Sequence, residues 1–476
     1  MRKSYKQLSI GDIYSHCKDL FDNDKSTFLD LLDATVDFTE FIPQYFYQAY
    51  YRYFGRKRKY PLEAFIAAFI LQKIFTIPTD TLLIIFLKMS KELRDFCSFT
   101  KVPDASKFTR FKQNFLPYLN DMHNRLVDYT DPICRAIDPI LADMLIYDTS
   151  GVEAYVTENN PKYINSLIKR LKSHYKDNPN IDPYKMAYGL MPSHAEKDEN
   201  IKQVYANGHF CYAHKFGILT NGLGINRHID FFDDEFKANH PEVIFNKKTD
   251  NPDEDKSIGD STSLKPVLND FFAAHPNLKY SSFLGDSAFD SIETYTFLKN
   301  TCGFSKVFIP LNNRNTSDLP PVGYNEYGYP TCPNDNNLAM KYSGITKEKG
   351  RADRFKWICP MVKTVKGQCV CSCENPCSNA KFGRTAYTYN NIDFRLLPGV
   401  QRDSEEWVDS YKIRTAVERT INHLKSDMCI ADRKSRDIRT AKADLLFASI
   451  AQLFTVVVAD RLHKPEYFRS VKRLIA

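Results

Sequence analysis

Apolar residues with helical spacing run through the first part of the chain. The segment 61–75 begins with Pro61 and continues as a strongly apolar helix, and proline suits a first helical turn because its missing N–H would have no partner there. Shorter helical patterns follow at 79–90 and 91–99. Together these patterns predict an all-α N-terminal domain over residues 1–130.

A later helix of this domain combines an apolar face with a basic one. Residues at i, i+3 and i+7 form its apolar face: Phe108, Phe111 and Phe115. The neighbouring face repeats that spacing with Lys107, Arg110 and Asn114. A series of short helices whose last member has a basic face favours a helix-turn-helix DNA-binding domain. The alternative is a plain helical bundle with a solvated basic face.

A basic, aromatic segment precedes that helix at residues 50–60. Its consecutive cations are Arg56, Lys57, Arg58 and Lys59. Cations neutralise phosphates, and tyrosine rings stack on bases. A run of charges is usually only solvated, but one so rich in aromatic residues favours nucleic-acid binding.

From residue 140 the spacing becomes that of strands. Residues 144–156 predict a buried strand that enters a glycine turn, with Asp148 close to the strand's end. Residues 157–207 are polar and rich in lysine, which is typical of an insertion or an exposed helical excursion. Residues 209–232 predict two strands joined by an Asn-Gly turn.

The second half of the chain continues the α/β pattern. Residues 280–300 predict a strand, a turn and a helix, and Asp286 stands where that strand stops. The next strand spans 304–312, so the strand–helix–strand order predicts a parallel pair in an α/β layer. Residues 313–399 are rich in Pro, Asn, Gly and Cys and predict an insertion.

Two helices close the pattern. Residues 404–428 predict a helix with Ser404 as its cap. The longest apolar run, residues 445–459, is shorter than the roughly 20 residues of a bilayer span and contains Ser, Gln and Thr. We therefore expect a buried core helix there. The N-terminus lacks the pattern of a signal peptide, so we expect a cytoplasmic protein.

Length and charge narrow the class of protein. A chain of 476 residues exceeds one ordinary core and predicts two or three domains. Its 43% hydrophobic and 26% charged residues are typical of a soluble globular protein. The net charge of +7 permits nucleic-acid binding without requiring it. The local clusters of charge therefore carry more weight than the total.

The candidate chemistry centres on carboxylates. Asp148 and Asp286 each follow an apolar strand and precede small residues. Side chains at strand ends in an open α/β sheet project into the crevice where ligands bind. Each aspartate alone is a weak sign of function.

A helix over residues 411–425 adds a third carboxylate. At about 100° per residue, four polar residues fall within an arc of about 60° beside an apolar stripe: Tyr411, Arg414, Glu418 and Lys425. One interpretation is an amphipathic helix with salt-bridging charges. The other is a carboxylate flanked by cations that meet an anionic polymer.

The spacing of these four residues resembles the Tyr-Arg-Glu-Lys signature around the catalytic glutamate of bacterial insertion-sequence DDE transposases. All four positions match without a gap. YDTSG around Asp148 and FLGDSAFDS around Asp286 are similar to the two aspartate motifs of that family. Residues 55–75 and 104–115 are similar to its helical N-terminal domain. The resemblance implies an α/β fold with an RNase-H-like catalytic core, an all-α N-terminal DNA-binding domain and a Cys-rich insertion.

The implied core comprises residues 140–312, interrupted by the insertion at 157–207, together with the helices of 400–476. The Cys-rich insertion is 313–399. The resemblance implies that three carboxylates are catalytic and hold two Mg²⁺ or Mn²⁺ ions, since hard cations prefer oxygen ligands: Asp148, Asp286 and Glu418. The implied supporting residues are Tyr411, Arg414 and Lys425. Two further cations extend the expected DNA track: Arg433 and Lys434.

The implied reaction cuts double-stranded DNA at terminal inverted repeats and joins the 3′ ends to target DNA. Bringing two ends together implies at least a dimer on DNA, in the bacterial cytoplasm at the nucleoid and without a membrane. Two alternatives stay open on the residues. One is a DNA-binding protein of transposase descent that no longer cuts, and the other is an RNase-H-like nuclease with another substrate.

The cysteines raise a second question. Six of the 12 cysteines fall within the insertion. One interpretation is a structural zinc site with four thiolate ligands: Cys332, Cys359, Cys373 and Cys377. The other is a set of reduced thiols in an irregular insert.

Overall fold

The computed structural model divides the chain into two compact units, residues 1–133 with 423–476, and residues 134–422. The described residues are 27–52, 55–176, 178, 180–206, 209–243, 257–312, 322–349, 353–381, 383–389, 393–402, 404–431 and 435–474.

The described α-helices are α1 (Thr27–Thr35), α2 (Gln44–Tyr50), α3 (Leu62–Ile74), α4 (Asp80–Met89), α5 (Lys91–Phe96), α6 (Ala105–Asn114), α7 (Leu116–Ile137), α8 (Pro139–Ala142), α9 (Pro161–His174), α10 (Pro183–Gly189), α11 (Asp234–Asn239), α12 (Asp260–Ala274), α13 (Ile292–Thr296), α14 (Glu405–Lys412), α15 (Thr415–Asn422) and α16 (Ile438–Arg461). Short 3₁₀ or π turns are named by their residues below.

The described strands are β1 (Met144–Glu153), β2 (His194–Ala195), β3 (Asp198–Ala206), β4 (His209–Asn221), β5 (Asn226–Phe231), β6 (Ser282–Leu284), β7 (Lys306–Phe308), β8 (Thr331–Cys332), β9 (Asp335–Ala339), β10 (Lys341–Thr346), β11 (Arg354–Ile358), β12 (Val362–Val365), β13 (Gln368–Cys371) and β14 (Thr385–Tyr389).

The first unit has an all-α core. Nearly all of α3 is buried, as its continuous apolar sequence predicts. The three phenylalanines expected on one face of α6 and just after it are all buried: Phe108, Phe111 and Phe115. The ring of Phe111 stacks on Phe65 of α3 with 4.8 Å between the centroids. The amphipathic pattern of this helix is therefore confirmed.

Helix α16 also belongs to the first unit. The ring of Phe447 on α16 lies 4.5 Å from that of Phe69 on α3, whereas the sequence pattern placed residues 400–476 with the catalytic core. Residues 423–476 group with the N-terminal helices because α16 buries its apolar surface there. This helix is long and apolar enough to cross a membrane, but 94% of its most apolar window is buried in the structure. The prediction of a core helix is confirmed.

The second unit contains a mixed sheet in the order β2-β3-β4-β1-β6-β7, with β5 paired to β4 as well. Strands β1, β6 and β7 are parallel, and β4 runs antiparallel to β1 and β5. The predicted strand pair in 209–232 and the predicted parallel pair are confirmed. Helix α12 packs on the sheet, and the hydroxyls of Tyr147 and Ser263 lie 2.7 Å apart there. The α/β class with a helical N-terminal region is thus confirmed.

The segment predicted as an insertion at 157–207 is only partly one. Helices α9 and α10 fill its first half and pack on each other through Ile168, Leu171 and Ala187. Its second half supplies β3, which pairs with β4 from Lys202 to Ala206. The sequence did not reveal β3 because its first three residues, 198–200, are polar on both faces of the strand.

The described part of 313–399 consists of small antiparallel sheets, β8–β9, β10–β11–β14 and β12–β13. Their shared core is slight, with Met340, Trp357 and Ala386 buried together. The indole N–H of Trp357 donates to the hydroxyl of Thr388 at 2.8 Å. Such a small core buries little apolar surface, so other contacts must help to hold this region together.

Candidate active site

Asp148 lies in the middle of the sheet, on β1, with 22% of its side chain exposed. The backbone N–H of Thr149 donates to its Oδ1 at 2.8 Å. Burial raises the pKa of Asp148 to about 6, although the Arg414 guanidinium and the Thr149 amide oppose that shift. The carboxylate is therefore poorly solvated, which favours a bound cation beside it.

Asp286 follows β6, the strand next to β1. Strand pairing sets Ile146 opposite Leu284, so each aspartate comes two residues after a paired position. Asp286 caps the 3₁₀ turn Ser287–Phe289 and accepts from the N–H of Ala288 at 3.3 Å. The parallel pairing therefore brings the two carboxylates together. The expectation that Asp148 lies close to the end of its strand is wrong, because β1 continues through Gly151 to Glu153, where it pairs with β4.

Glu418 is held at the site by α15. The helix is fixed to the β4–β5 turn, where the hydroxyl of Thr420 donates to the carbonyl of Gly224 at 2.7 Å. Gly222 in that turn has no room for a side chain, since a Cβ would lie 2.7 Å from the carbonyl oxygen of Leu141. Gly224 in the same turn lies against α15, since a Cβ there would be 3.1 Å from the hydroxyl oxygen of Thr420, so this turn packs closely on the helix that carries Glu418.

Arg414 joins the three carboxylates. Its Nη2 lies 3.5 Å from Oδ2 of Asp148 and 3.3 Å from Oδ2 of Asp286. Its Nη1 forms an ion pair with Oε1 of Glu418. Burial alone would lower the pKa of Arg414, but the carboxylates raise it. The three acids predicted from the sequence thus meet around one guanidinium.

Tyr411 belongs to the second unit and Lys425 to the first. Tyr411 lies on α14, and its ring stacks on Trp407 at 6.2 Å. Burial raises the pKa of Tyr411, with Arg414 opposing the shift, so the phenol belongs to this neighbourhood. Lys425 lies in the π-helical turn His423–Asp427 of the first unit and is buried, at 6% exposure. The prediction of one helix over 404–428 is wrong, because a turn at Ile413 and Arg414 and a π-helical turn at His423–Asp427 interrupt it. The supporting role of Lys425 stays a prediction.

Two sequence families match the chain. Residues 251–454 match the Transposase DDE domain, and this match includes Asp286 and Glu418. Residues 16–114 match the Transposase domain (DUF772). The chain is an insertion-sequence DDE transposase. It is therefore a metal-dependent DNA transposase enzyme. A comparison with curated proteins gave no match.

The carboxylates of the transposase supply oxygen ligands of the kind that Mg²⁺ and Mn²⁺ prefer. The Nε of Arg414 is buried and has no hydrogen-bond partner among the described residues. The hydrogen-bonding capacity of the guanidinium is therefore only partly used at this site. Within the described parts of the chain, no group of three or more His, Cys, Asp or Glu is arranged closely enough to hold a metal ion. The carboxylate oxygens of the three acids are suitable ligands for a divalent cation, whereas in this structure they contact the guanidinium of Arg414.

Sequence reasoning missed a fourth carboxylate beside the site. Oδ1 of Asp260 accepts from the hydroxyl of Thr149 at 2.6 Å and lies 3.0 Å from Nζ of Lys215. Neither strand periodicity nor motif spacing connects Asp260 to Asp148, because α12 lies more than a hundred residues beyond β1. Only the packing of α12 on the sheet reveals the connection.

The basic residues of the first unit differ in their surroundings. All four consecutive cations are exposed: Arg56, Lys57, Arg58 and Lys59. Arg58 differs because its Nε donates to the carbonyl of Tyr50 at 3.1 Å. The guanidinium of Arg58 also lies over the rings of Tyr50 and Phe115. On α6, two further predicted DNA contacts are exposed: Lys107 and Arg110. The other two predicted contacts, Arg433 and Lys434, lie outside the described residues.

Of the four cysteines predicted to bind zinc, Cys332 lies in β8, Cys359 directly follows β11, and Cys373 and Cys377 follow β13. Cys332 and Cys359 are buried, and Cys373 and Cys377 are half-buried. Burial and the neighbouring thiol of Cys371 raise the pKa of Cys373 to about 11. The thiols therefore influence one another without forming a closed coordination shell in the described residues.

Proposed function

We propose that this transposase cuts DNA at the ends of its element and joins the freed 3′ ends to target DNA by two-metal phosphodiester chemistry. The observation that carries the proposal is the convergence of Asp148, Asp286 and Glu418, from three different elements, on the guanidinium of Arg414. One acid lies within β1 and the other directly after the adjacent parallel strand β6, and β1 also has an antiparallel neighbour; this arrangement supports an RNase-H-like core.

The three carboxylates would hold two Mg²⁺ or Mn²⁺ ions. Such ions activate a water or a 3′-hydroxyl and stabilise the leaving oxygen. The side chain of Arg414 holds the carboxylates close together, and its planar fork also suits a phosphate. Tyr411 presents a half-buried phenol beside the same acids and would contact the DNA end.

The proposed partners are double-stranded DNA with terminal inverted repeats and a target duplex. The exposed cations of the first unit provide phosphate contacts without sequence specificity. Since two ends must be joined, we propose a homodimer on DNA, at the nucleoid of the cytoplasm.

A strand-transfer assay tests the proposal. The full chain is incubated with Mg²⁺, a target plasmid and a labelled duplex that carries the repeats flanking its gene. Joined product with a preference for the repeats is expected. Absence of cleavage under both Mg²⁺ and Mn²⁺ would instead support a DNA-binding protein that no longer cuts, and cleavage without repeat preference would support another nuclease.

Lys57 and Arg58 should respond differently to replacement by alanine. We expect Lys57→Ala to weaken DNA binding and to reduce the slope of log K against log salt by about 1, as the loss of one phosphate contact does. Arg58→Ala should instead lower the free energy of unfolding by about 1 kcal/mol, because its guanidinium packs on Tyr50 and Phe115. Binding titrations at several salt concentrations and thermal unfolding measure the two effects. Unchanged stability of Arg58→Ala would show that its ring contacts contribute little.

The zinc site stays a prediction and has a direct measurement. We expect one zinc per chain in the purified protein by elemental analysis. Cys359→Ser and Cys373→Ser should remove it, since each predicted ligand is needed for a tetrahedral thiolate site. Cys302→Ser is the matched control, because Cys302 follows α13 and lies outside the insertion. A metal-free protein with fully reactive thiols would favour the interpretation as ordinary reduced cysteines.

A further inference from the structure

A chain of hydrogen bonds connects α12 to Asp148. Asp260 is the first residue of α12, and its Oδ1 accepts from the Thr149 hydroxyl at 2.6 Å. Thr149 donates its backbone N–H to Oδ1 of Asp148 at 2.8 Å. Thr149 therefore contacts both carboxylates: its hydroxyl donates to Asp260, and its backbone N–H donates to Asp148.

Lys215 fixes the far end of this chain. It lies on β4 with 7% of its side chain exposed, and its Nζ is 3.0 Å from Oδ1 of Asp260. The same Nζ donates to the carbonyl of Ile258 at 2.9 Å. A buried ammonium is stable only with partners close by. Lys215 therefore anchors Asp260 and the start of α12 to the sheet.

The two aspartates of the site are oriented in different ways. Asp286 caps its own turn and accepts from the hydroxyl of Ser287 at 3.0 Å and the N–H of Ala288. Asp148 lies within a strand and accepts from Thr149. The side chain of Thr149 is in turn held by Asp260, at the start of α12. Both carboxylates also contact Arg414. Apart from that shared partner, the contacts of Asp286 are local, whereas Asp148 is connected through Thr149 to the distant residue Asp260.

We propose that Asp260 is a positioning residue for Asp148 and acts through the hydroxyl of Thr149. The inference rests on the proposed function of Asp148 as a metal ligand. Carboxylates that bind metal ions are themselves held by hydrogen bonds, and the loss of such an outer partner typically weakens metal binding about 10- to 100-fold. Lys215, Asp260 and Thr149 form that outer layer here.

Metal affinity in the absence of DNA tests the inference. Mn²⁺ is titrated into the full chain by calorimetry. Asp260→Asn and Thr149→Val should each weaken Mn²⁺ binding about tenfold. The double variant should lose no more Mn²⁺ affinity than the single variant with the larger loss, because both changes interrupt the same chain of hydrogen bonds. Glu293→Gln is the control, since it removes the ion pair of Lys265 on α12 without touching Thr149, and it should keep the wild-type affinity.

Wild-type Mn²⁺ affinity in both single variants would overturn the inference, and so would losses that add fully in the double variant. Thermal unfolding of each variant is recorded, because Asp260→Asn also removes a partner of buried Lys215. Should that variant fail to fold, Thr149→Val decides alone, since it leaves the Lys215–Asp260 pair in place.

Asp148→Asn separates this inference from the proposed function. If Asp148→Asn binds Mn²⁺ like the wild type, the proposed metal role of Asp148 fails and the inference fails with it. If Asp148→Asn loses affinity while Thr149→Val keeps it, the proposed function stands and only the positioning role of Asp260 is wrong.

Discussion

Strand transfer by Glu418→Gln is expected to fall about a thousandfold or more, with folding and DNA binding retained. A metal ion contributes several kcal/mol to transition-state stabilisation, and each 1.4 kcal/mol corresponds to about tenfold in rate. Glutamine keeps an oxygen that can accept from Arg414, so the shape of the site is preserved while its negative charge is lost. Single-turnover product formation with end-bearing DNA measures the loss.

Asp409→Asn provides the matched control for this prediction. Asp409 is a more exposed carboxylate on α14 that forms an ion pair with Lys412, just as Glu418 forms one with Arg414. Its replacement should leave strand transfer near the wild-type rate. A Glu418→Gln enzyme that retains more than a small fraction of the wild-type rate would contradict the role of Glu418 as a metal ligand.

The approach of the two aspartates could be predicted from a local pattern, although β1 does not end near Asp148 and continues to Glu153. An apolar run that stops at an acid followed by small residues marks both Asp148 and Asp286. The pairing of Ile146 with Leu284 then brings the acids side by side without any information beyond strand order. This part of the site can therefore be predicted from short segments of sequence.

The helix over 404–428 shows where such reasoning fails. A helical wheel assumes one axis and about 3.6 residues per turn. Ile413 and Arg414 form a turn between α14 and α15, and a π-helical turn follows α15. Arg414 and Glu418 still meet because they are four residues apart. The span from Tyr411 to Lys425, in contrast, contains both the turn and the π-helical turn. Short-range spacing in the signature was therefore informative and long-range spacing was not.

Buried charges were the second limit of the sequence. Asp260 and Lys112 both look like ordinary helix charges in the sequence, since Asp260 precedes Ser261 and Lys112 precedes Gln113. Their roles arise from helices that are distant in the sequence, and hydrophobic periodicity carries no information about ionic partners. Lys112, on α6, is completely buried in the first unit.

Lys112→Met is expected to lower the free energy of unfolding by about 3–5 kcal/mol, the usual cost of removing one partner from a buried ionic group. Nζ of Lys112 lies 2.8 Å from Asp80 on α4 and 2.7 Å from Asp444 on α16. The cation thus connects three helices and neutralises two aspartates. Methionine preserves most of the buried stem, so the measured loss reports the charge rather than a cavity. Denaturant or calorimetric unfolding of the full chain provides the measurement.

Lys107→Met is the control on the same helix, because Lys107 is exposed. We expect it to change the free energy of unfolding by no more than about 0.5 kcal/mol. Adding Asp80→Asn and Asp444→Asn to Lys112→Met should recover part of the stability, since the two neutral amides no longer need a shared cation. A loss below about 1 kcal/mol in Lys112→Met, or no recovery in the triple variant, would mean that apolar packing of α3, α6 and α16 holds these helices together without the ionic contact.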